Sequence, residues 1–316
     1  MTANIPAAKL YLVALSGGAD SVALLRHIYA TAQGRVAACH VNHMIRGDEA
    51  QRDESFCAAL CARLDVPLEI YRIDVPALAA ESGRGIEETA RDARYAALTQ
   101  EAQRIGAAVI LTGHNADDFT ETVLFNLTRG AGPAGLCGIP PMRQMCDGVT
   151  VHRPLLGVSR AEIEQYLADI GQDFVTDSTN SDTCYSRNLI RAQVIPALRR
   201  INPALDTAVA RTAALIGEQE DALDTLVLPT DELSVLRTLP GAILSRAVRR
   251  LYAEASQRLY GTAAVLPYDA TGMVMKMITD GKARDRISLP GKIYGAVMKG
   301  RLVFGADSRE KKRRGH

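Results

Sequence analysis

The sequence predicts an α/β protein, a parallel sheet covered by helices and followed by a smaller, mainly helical domain, and three observations carry that expectation. Leu12-Val13-Ala14-Leu15 ends abruptly in Ser16-Gly17-Gly18, and Val22, Ala23, Leu24, Leu25, His27 and Ile28 then recur at helical spacing, so the opening reads as strand, glycine turn, helix. Short apolar runs and helical stretches keep alternating through Leu127, the rhythm of βαβ units whose strands are buried on both faces. Past Asn202-Pro203 the composition turns to alanine-rich helix.

A chain of 316 residues is long enough for two cores, and the break at Asn202-Pro203 sets the expected domains at 1–200 and 201–316. Its 47% apolar and 23% charged residues are those of a soluble globular protein. No window approaches ~18 uninterrupted apolar residues, and the N-terminus has no basic segment leading into an apolar one. The expectation is therefore a cytoplasmic protein with no membrane partner. Six cysteines (Cys39, Cys57, Cys61, Cys137, Cys146, Cys184) are scattered through the chain, which points to free thiols. Cys57 and Cys61 would share a helix face, but no Cys-x-x-Cys and no neighbouring His pair supports a metal or iron–sulfur site. The net charge of +1 hides a basic surplus beyond residue 200, where all lysines but Lys9 lie. That surplus suits a surface gripping a polyanion, and it ends in Arg309-Glu310-Lys311-Lys312-Arg313-Arg314, either a phosphate-binding tail or a solvated end.

Taken in order, the opening strand and its helix are followed by a strand at Val36–Val41 and a loop, Asn42-His43-Met44-Ile45-Arg46-Gly47. A helix then begins at Asp48 or Glu49 and ends before Pro67. A strand over Leu68–Ile73, a long helix over Gly85–Ile105, a strand over Ala107–Thr112 and a helix through Leu127 complete the alternation. Arg129–Gly135 reads as a flexible glycine-rich loop, and Ser159 with Glu162 forms a capping box. Asp177–Asp182 is a polar loop leading into a helix with Arg187 and Asn188 near its start. Helices are expected over Ala208–Leu226, Ala242–Tyr260 and Thr271–Ile278, then a short β unit at Ile287–Gly291, Ala296–Met298 and Leu302–Phe304.

The glycine turn is the first candidate site. Gly17 and Gly18 let the backbone approach a ligand closely, and the first amides of the following helix are unpaired at the positive end of its dipole. Ser16, Gly17, Gly18, Ala19, Asp20 and Ser21 thus suit a phosphate, with Asp20 directing a Mg²⁺. An ordinary βα turn with Asp20 as a dipole partner fits as well. The spacing matches neither G-x-x-x-x-G-K-[ST] nor G-x-G-x-x-G, which disfavours a Walker kinase or a dinucleotide dehydrogenase. Arg91 and Arg94 are three apart on one helix side and read either as an anion clamp or as surface partners of Glu87 and Glu88. In Gly113-His114-Asn115-Ala116-Asp117-Asp118, His114, Asp118 and Glu121 fall at i, i+4 and i+7 with Asp117 beside them. Either they face the phosphate loop for catalysis, or the acids serve as caps and dipole partners.

Together these stretches resemble the tRNA(Ile)-lysidine synthetase family of N-type ATP pyrophosphatases, the PP-loop enzymes. The motifs run collinearly over roughly residues 10 to 200: Ser-Gly-Gly-Ala-Asp-Ser at 16–21, His-Val-Asn-His-Met-Ile-Arg at 40–46, Ala-Arg-Asp-Ala-Arg-Tyr at 90–95, Gly-His-Asn-Ala-Asp-Asp at 113–118, Arg-Pro-Leu-Leu at 153–156, and Asp177, Asn180, Asp182 and Tyr185 leading to Arg187-Asn188. The resemblance implies the fold of adenine-nucleotide α-hydrolases. It also implies a reaction: ATP adenylates the wobble cytidine of the CAU anticodon of tRNA(Ile), and free lysine displaces AMP to give lysidine. Ser16–Ser21 would bind ATP, Asp20 Mg²⁺, and Arg94, with Arg91, the α-phosphate. Asp118, then Glu121, would serve the attacking amine, with His114, Asp117 and Asn188 around the substrate, and Arg187 on phosphate, lysine or nucleotide. The partners implied are ATP, free L-lysine and the tRNA, held by a C-terminal tRNA-binding domain, and a homodimer is compatible. Phe119 and Phe174 depart from the glutamine and tryptophan common in the family. The end soon after Leu289-Pro290-Gly291 resembles its shorter members, and the absence of Cys-x-x-Cys sets the chain apart from tRNA thiolases.

Overall fold

The structure, a computed structural model, describes Ala3 and residues 5–31, 35–176, 186–280 and 286–307. Asp177, Asn180, Asp182, Cys184, Tyr185 and the basic run Arg309–Arg314 lie outside these residues. Two compact units divide between Ile216 and Gly217, beyond the expected 200/201 boundary. The helix that follows Pro203 starts inside the first unit, because Asp206 takes hydrogen bonds from Arg199 at 2.8 Å and Thr120 at 2.6 Å.

The first unit opens with β1 (Leu10–Ala14), α1 (Ala19–Thr31), β2 (Arg35–Asn42), α2 (Asp48–Leu64) and β3 (Leu68–Arg72). It continues with α3 (Val75–Ser82), α4 (Ile86–Ile105), β4 (Val109–Leu111), α5 (Ala116–Thr128), α6 (Pro133–Leu136), β5 (Met142–Cys146) and β6 (Val149–His152). Next come α7 (Arg160–Asp169), α8 (Ser186–Leu189), a π-helical turn at Ile190–Val194, α9 (Ile195–Ile201) and α10 (Leu205–Thr225), which runs across the unit boundary. The strands form one sheet in the order β3-β2-β1-β4-β6-β5, parallel except for β5.

The apolar alternation of β1 explains the layers. Leu12 faces one side and packs with Leu98 and Ala102 of α4, whereas Val13 faces the other and packs with Leu24 and Ile28 of α1, Leu60 of α2 and Ile163 of α7. Helices on both faces bury the middle of the sheet, so β1 and β4 read as nearly continuous apolar runs. The ends of β1, β2 and β4 therefore open onto one edge, carrying the loops at Ser16, Asn42 and His114 to the same place.

Three features differ from the sequence expectation. The hairpin β5/β6 is not predicted, since Met-Arg-Gln-Met-Cys carries little β-branching and lies largely exposed on the sheet edge. Helix α3 is capped by Asp74, which accepts from the Ala77 amide at 3.0 Å, and is too short to show a helical period. His114 precedes α5 instead of joining its face, because Asn115 is the N-cap. The Ser159–Glu162 capping box forms as expected.

In the second unit α11 (Leu233–Leu236), α12 (Gly241–Tyr260) and α13 (Tyr268–Thr279) pack with an antiparallel sheet of β7 (Ile287–Leu289), β8 (Ile293–Met298) and β9 (Arg301–Ala306). Tyr252 is fully buried, donates to the Pro290 carbonyl at 2.7 Å and meets Phe304 edge-on at 5.7 Å. No helix among the described residues is long and apolar enough to cross a membrane.

Behind the Asn42 loop, buried Glu54 accepts from Asn42 Nδ2 and Arg72 Nε, each at 3.0 Å. The Arg72 hydrogen bond leads in holding this carboxyl down to about 2, below its ordinary 4.5. Its stabilising contribution is whole above pH 4.5 and fades as pH falls through about 2. Glu54→Ala takes the best acceptor from the buried Asn42 amide and is expected to destabilise the fold by about 1–3 kcal/mol. Thermal melts at pH 7 and pH 3 check this, with the gap between wild type and variant narrowing at the lower pH.

Candidate active site

A cavity of about 320 Å³ sits where β1, β2 and β4 end. On one side the phosphate loop is folded by its own hydroxyls: Ser21 Oγ donates to the Gly18 carbonyl at 3.0 Å, accepts from the Ser16 amide at 3.1 Å and lies 3.1 Å from Ser16 Oγ. Gly17 turns at φ +91°, and its carbonyl accepts from the Val175 amide at 2.9 Å. With these bonds the loop is already shaped, and Ala19 is buried beneath it.

The neighbouring loop approaches through Gly113. A Cβ there would stand 2.9 Å from the Asp20 carbonyl carbon and 3.0 Å from the Ser21 amide, so only glycine fits. Next to it, Asn115 caps α5 and donates Nδ2 to Asp20 Oδ1 at 3.0 Å, while Arg160 at the start of α7 donates Nη1 to Asp20 Oδ2 at 2.8 Å. Burial raises the Asp20 carboxyl above its ordinary value, against the opposite pull of Arg160 and Asn115. Asp20 thus sits in the first helical turn with both oxygens engaged.

The three acids of α5 take three different places. Asp117 turns to structure, accepting from Arg199 at 2.5 Å and from the Arg160 amide at 2.9 Å. Against burial, the Arg199 bond holds its carboxyl below the usual range. Asp118 closes the capping box on the Asn115 amide at 3.1 Å and also lines the cavity, its other oxygen taking Arg191 Nη2 at 2.9 Å. Desolvation pushes the Asp118 carboxyl up to about 6. Glu121, buried, pairs with Arg191 at 2.7 Å and lies 3.8 Å from Arg187. Capping and cavity lining are thus combined in one residue, Asp118.

Arg94, His43 and His114 also line the cavity. Burial drives His114 down to about 3, reinforced by Arg153, Arg94, Arg91 and Arg187, so the imidazole is neutral near pH 7 and its Nδ1 lies 3.0 Å from Thr112 Oγ1. His43 is likewise pushed down to about 4 by burial and by Arg94, and its Nδ1 is buried with no partner among the described residues. The cleft brings two guanidiniums, Arg46 and Arg94, together with three carboxylates, Asp20, Asp53 and the desolvated Asp118.

Of the sequence candidates, Ser16, Gly18, Asp20, Ser21, Arg94, His114 and Asp118 line the cavity. Gly17 and Ala19 shape its turn, whereas Asp117, Glu121, Arg187 and Asn188 are not among the residues that line it. Arg91 is exposed, with its guanidinium 5.8 Å from the Tyr95 ring. Sequence reading missed Arg191, Arg160 and Asn115. The one-turn spacing of Arg187 and Arg191 is the signal that finds the first. Phe119 lies over Gly138, whose absent Cβ would stand 2.6 Å from its ring, so this departure is absorbed by local packing.

A family model described as a PP-loop domain matches residues 2–198, and the chain belongs to the PP-loop domain family. Among curated proteins, it is 46% identical over 209 residues to the tRNA(Ile)-lysidine synthase of Bacteroides thetaiotaomicron, covering 66% of this chain and 47% of the relative. To the tRNA(Ile)-lysidine synthase of Caldanaerobacter subterraneus subsp. tengcongensis it is 32% identical over 311 residues, covering 93% of this chain and 64% of the relative. The chain spans less than two thirds of either relative's length. The solved U34-tRNA thiolase NcsA from Methanococcus maripaludis with its [4Fe-4S] cluster superposes with a TM-score of 0.56 at 18% identity, over 67% of this chain and 72% of that one, a likeness of fold.

Gly113→Ala forces the two loops of the cleft apart and is expected to destabilise the first unit by about 1–3 kcal/mol. Thermal unfolding checks this, and an unchanged melting temperature would mean the close approach is not maintained in solution.

Proposed function

We propose that the protein ligates lysine to the C2 position of the wobble cytidine in the CAU anticodon of tRNA(Ile), through an adenylated cytidine, releasing pyrophosphate and then AMP. The observation that carries this reading is one cleft lined by both a preformed phosphate loop and a desolvated acid, Asp118. Similarity to the synthases above supports the choice among PP-loop chemistries.

In this reading the amides and hydroxyls from Ser16 to Ser21 bind the phosphates of ATP, and Arg94 faces charge developing on the α-phosphate. Mg²⁺ fits as a companion of ATP: Asp20 offers a single carboxylate, and no His/Cys/Asp/Glu cage of three exists among the described residues. That is the donor set of a cation carried largely by phosphates and water, and bound there it supplies Lewis-acid polarisation of the phosphate oxygens. Asp20 would hold it once released from Arg160. Neutral His114 can accept or donate a hydrogen bond but does not carry a proton at pH 7. Lysine attacks only as the free amine, and Asp118, ionised above about pH 6, receives the proton. Glu121, held by Arg191 and Arg187, keeps a second negative charge beside the ammonium form.

Incubation with labelled lysine, ATP, Mg²⁺ and a CAU-anticodon tRNA(Ile) transcript tests the reading. Label in the RNA, lost when the wobble cytidine is replaced by uridine, is expected, and no label in either transcript would overturn it. Asp20→Ala is expected to cut pyrophosphate release about a hundredfold or more while leaving tRNA affinity within about twofold, as befits a group that serves phosphate and metal. Turnover near wild type would remove Asp20 from the chemistry.

The rate should rise with pH through about 6 as Asp118 loses its proton. Asp118→Asn should lose that limb and about a hundredfold in rate. Arg191→Ala, which removes a charge that lowers Asp118, should move the limb to higher pH, and Arg191→Lys should restore it. A limb unmoved in all three variants belongs to another group.

A further inference from the structure

Tyr95 gathers four arginines. The guanidinium carbons of Arg91, Arg94 and Arg143 stand 5.8, 6.0 and 5.8 Å from its ring centre. Arg153, 4% exposed, donates Nη2 to the Tyr95 hydroxyl at 3.2 Å and Nη1 to the Pro140 carbonyl at 2.6 Å, and its buried Nε has no hydrogen-bond partner among the described residues. Among the described residues, no carboxylate forms an ion pair with any of the four. So many like charges around one phenol repel each other, and the planar forks of arginine match phosphate oxygens. Glu87 acts on Arg94 without forming an ion pair, which leaves the cluster with an excess of positive charge.

Tyr95 is also a shared wall. On one side is the phosphate-loop cavity, into which Arg94 faces; on the other is an open groove of about 370 Å³ between α4 and β5, lined by Arg143 with Thr99, Gln100 and Gln103. Thr99 Oγ1 donates to the Tyr95 carbonyl at 2.8 Å and Gln103 Nε2 gives one hydrogen bond to Cys146 Sγ at 3.2 Å, so the amide groups of Gln100 and Gln103 are the neutral donors that suit phosphate and sugar oxygens. Asp92 borders the same groove, but its carboxylate is occupied by Arg84 at 2.6 Å. Arg143 is exposed on the sheet edge and does not line the cavity.

We propose that the Arg143 groove is a second phosphate site, holding backbone phosphates of the RNA whose target base enters the cavity past Tyr95. Arg143 supplies the outer fork, Arg91 and Tyr95 the rim, and Arg153 the buried charge that orients the Tyr95 hydroxyl. This rests on the RNA-substrate reading above. Released pyrophosphate presents the same oxygens and is the alternative source.

The test compares wild type, Arg143→Ala and Arg143→Lys as full chains, with matching melting temperatures as the folding control. Affinity for the tRNA transcript is measured without ATP or lysine at several salt concentrations, alongside inhibition by pyrophosphate and KM for ATP. Arg143→Ala is expected to weaken RNA binding about fivefold near 0.1 M salt and to lower the slope of log K against log salt by about one. Arg143→Lys should keep the slope, and KM for ATP should not move. Weaker pyrophosphate inhibition with unchanged RNA binding would assign the groove to the released product and overturn its RNA assignment. No change in either, or a change in KM for ATP alone, would overturn the site altogether. Lysine transfer is not read here, so failure of the ligation reading would leave an RNA-binding effect of Arg143 intact and visible.

Discussion

The cleft depends on a missing methyl group. Gly113 lets the loop after β4 rest against the backbone of Asp20 and Ser21, where a Cβ would stand 2.9 Å from the Asp20 carbonyl carbon. From that contact the rest follows: Asn115 reaches Asp20, the same Asn115 starts α5, and α5 delivers Asp118 to the cavity and Glu121 to the arginines behind it. A loop displaced by even one methyl would separate the phosphate loop from the acid that faces it.

Electrostatics then sorts residues of the same type into different work. Asp117 and Asp118 are adjacent, yet the first is tied to Arg199 and the Arg160 amide of α7 while the second is desolvated and raised to about 6. One holds helices together and the other can take a proton near neutral pH. Burial also keeps His114 and His43 uncharged among arginines, so the positive charges lining the cleft, Arg46 and Arg94, are guanidinium groups whose charge does not change with pH, set against Asp20, Asp53 and Asp118. The arginines around Tyr95 carry positive charge beyond the cavity to the sheet edge.

Much of this was legible from residue patterns. Glycine turns, apolar runs and capping signals locate β1, β2, β4, α1, α4 and α5, because burial on both sheet faces and helix caps leave local marks. The hairpin β5/β6 leaves few, being short and half-exposed, and α3 is two turns held by one Asp74 cap. At the site, the phosphate loop and Asp118 carry strong local signals. Arg191 carries only its one-turn spacing from Arg187: its partner Glu121 lies seventy positions away, and a π-helical turn at Ile190–Val194 interrupts the helix that carries it. Arg160 is likewise known only from tertiary contact, where it ties α7 to Asp20. Partners distant in sequence are what pattern reading loses.

The proposed ligation through an adenylated base requires that the nucleotide be joined to RNA before lysine acts, and in that proposal the phosphate loop and Asp118 work on one cytidine in succession. The direct measurement is mass analysis of the tRNA transcript after incubation with ATP and Mg²⁺ in the absence of lysine. An RNA carrying one AMP, discharged to a lysine adduct when lysine is added, is the predicted result. Pyrophosphate release that needs lysine but not RNA, with no AMP on the transcript, would place activation on the amino acid and contradict the account.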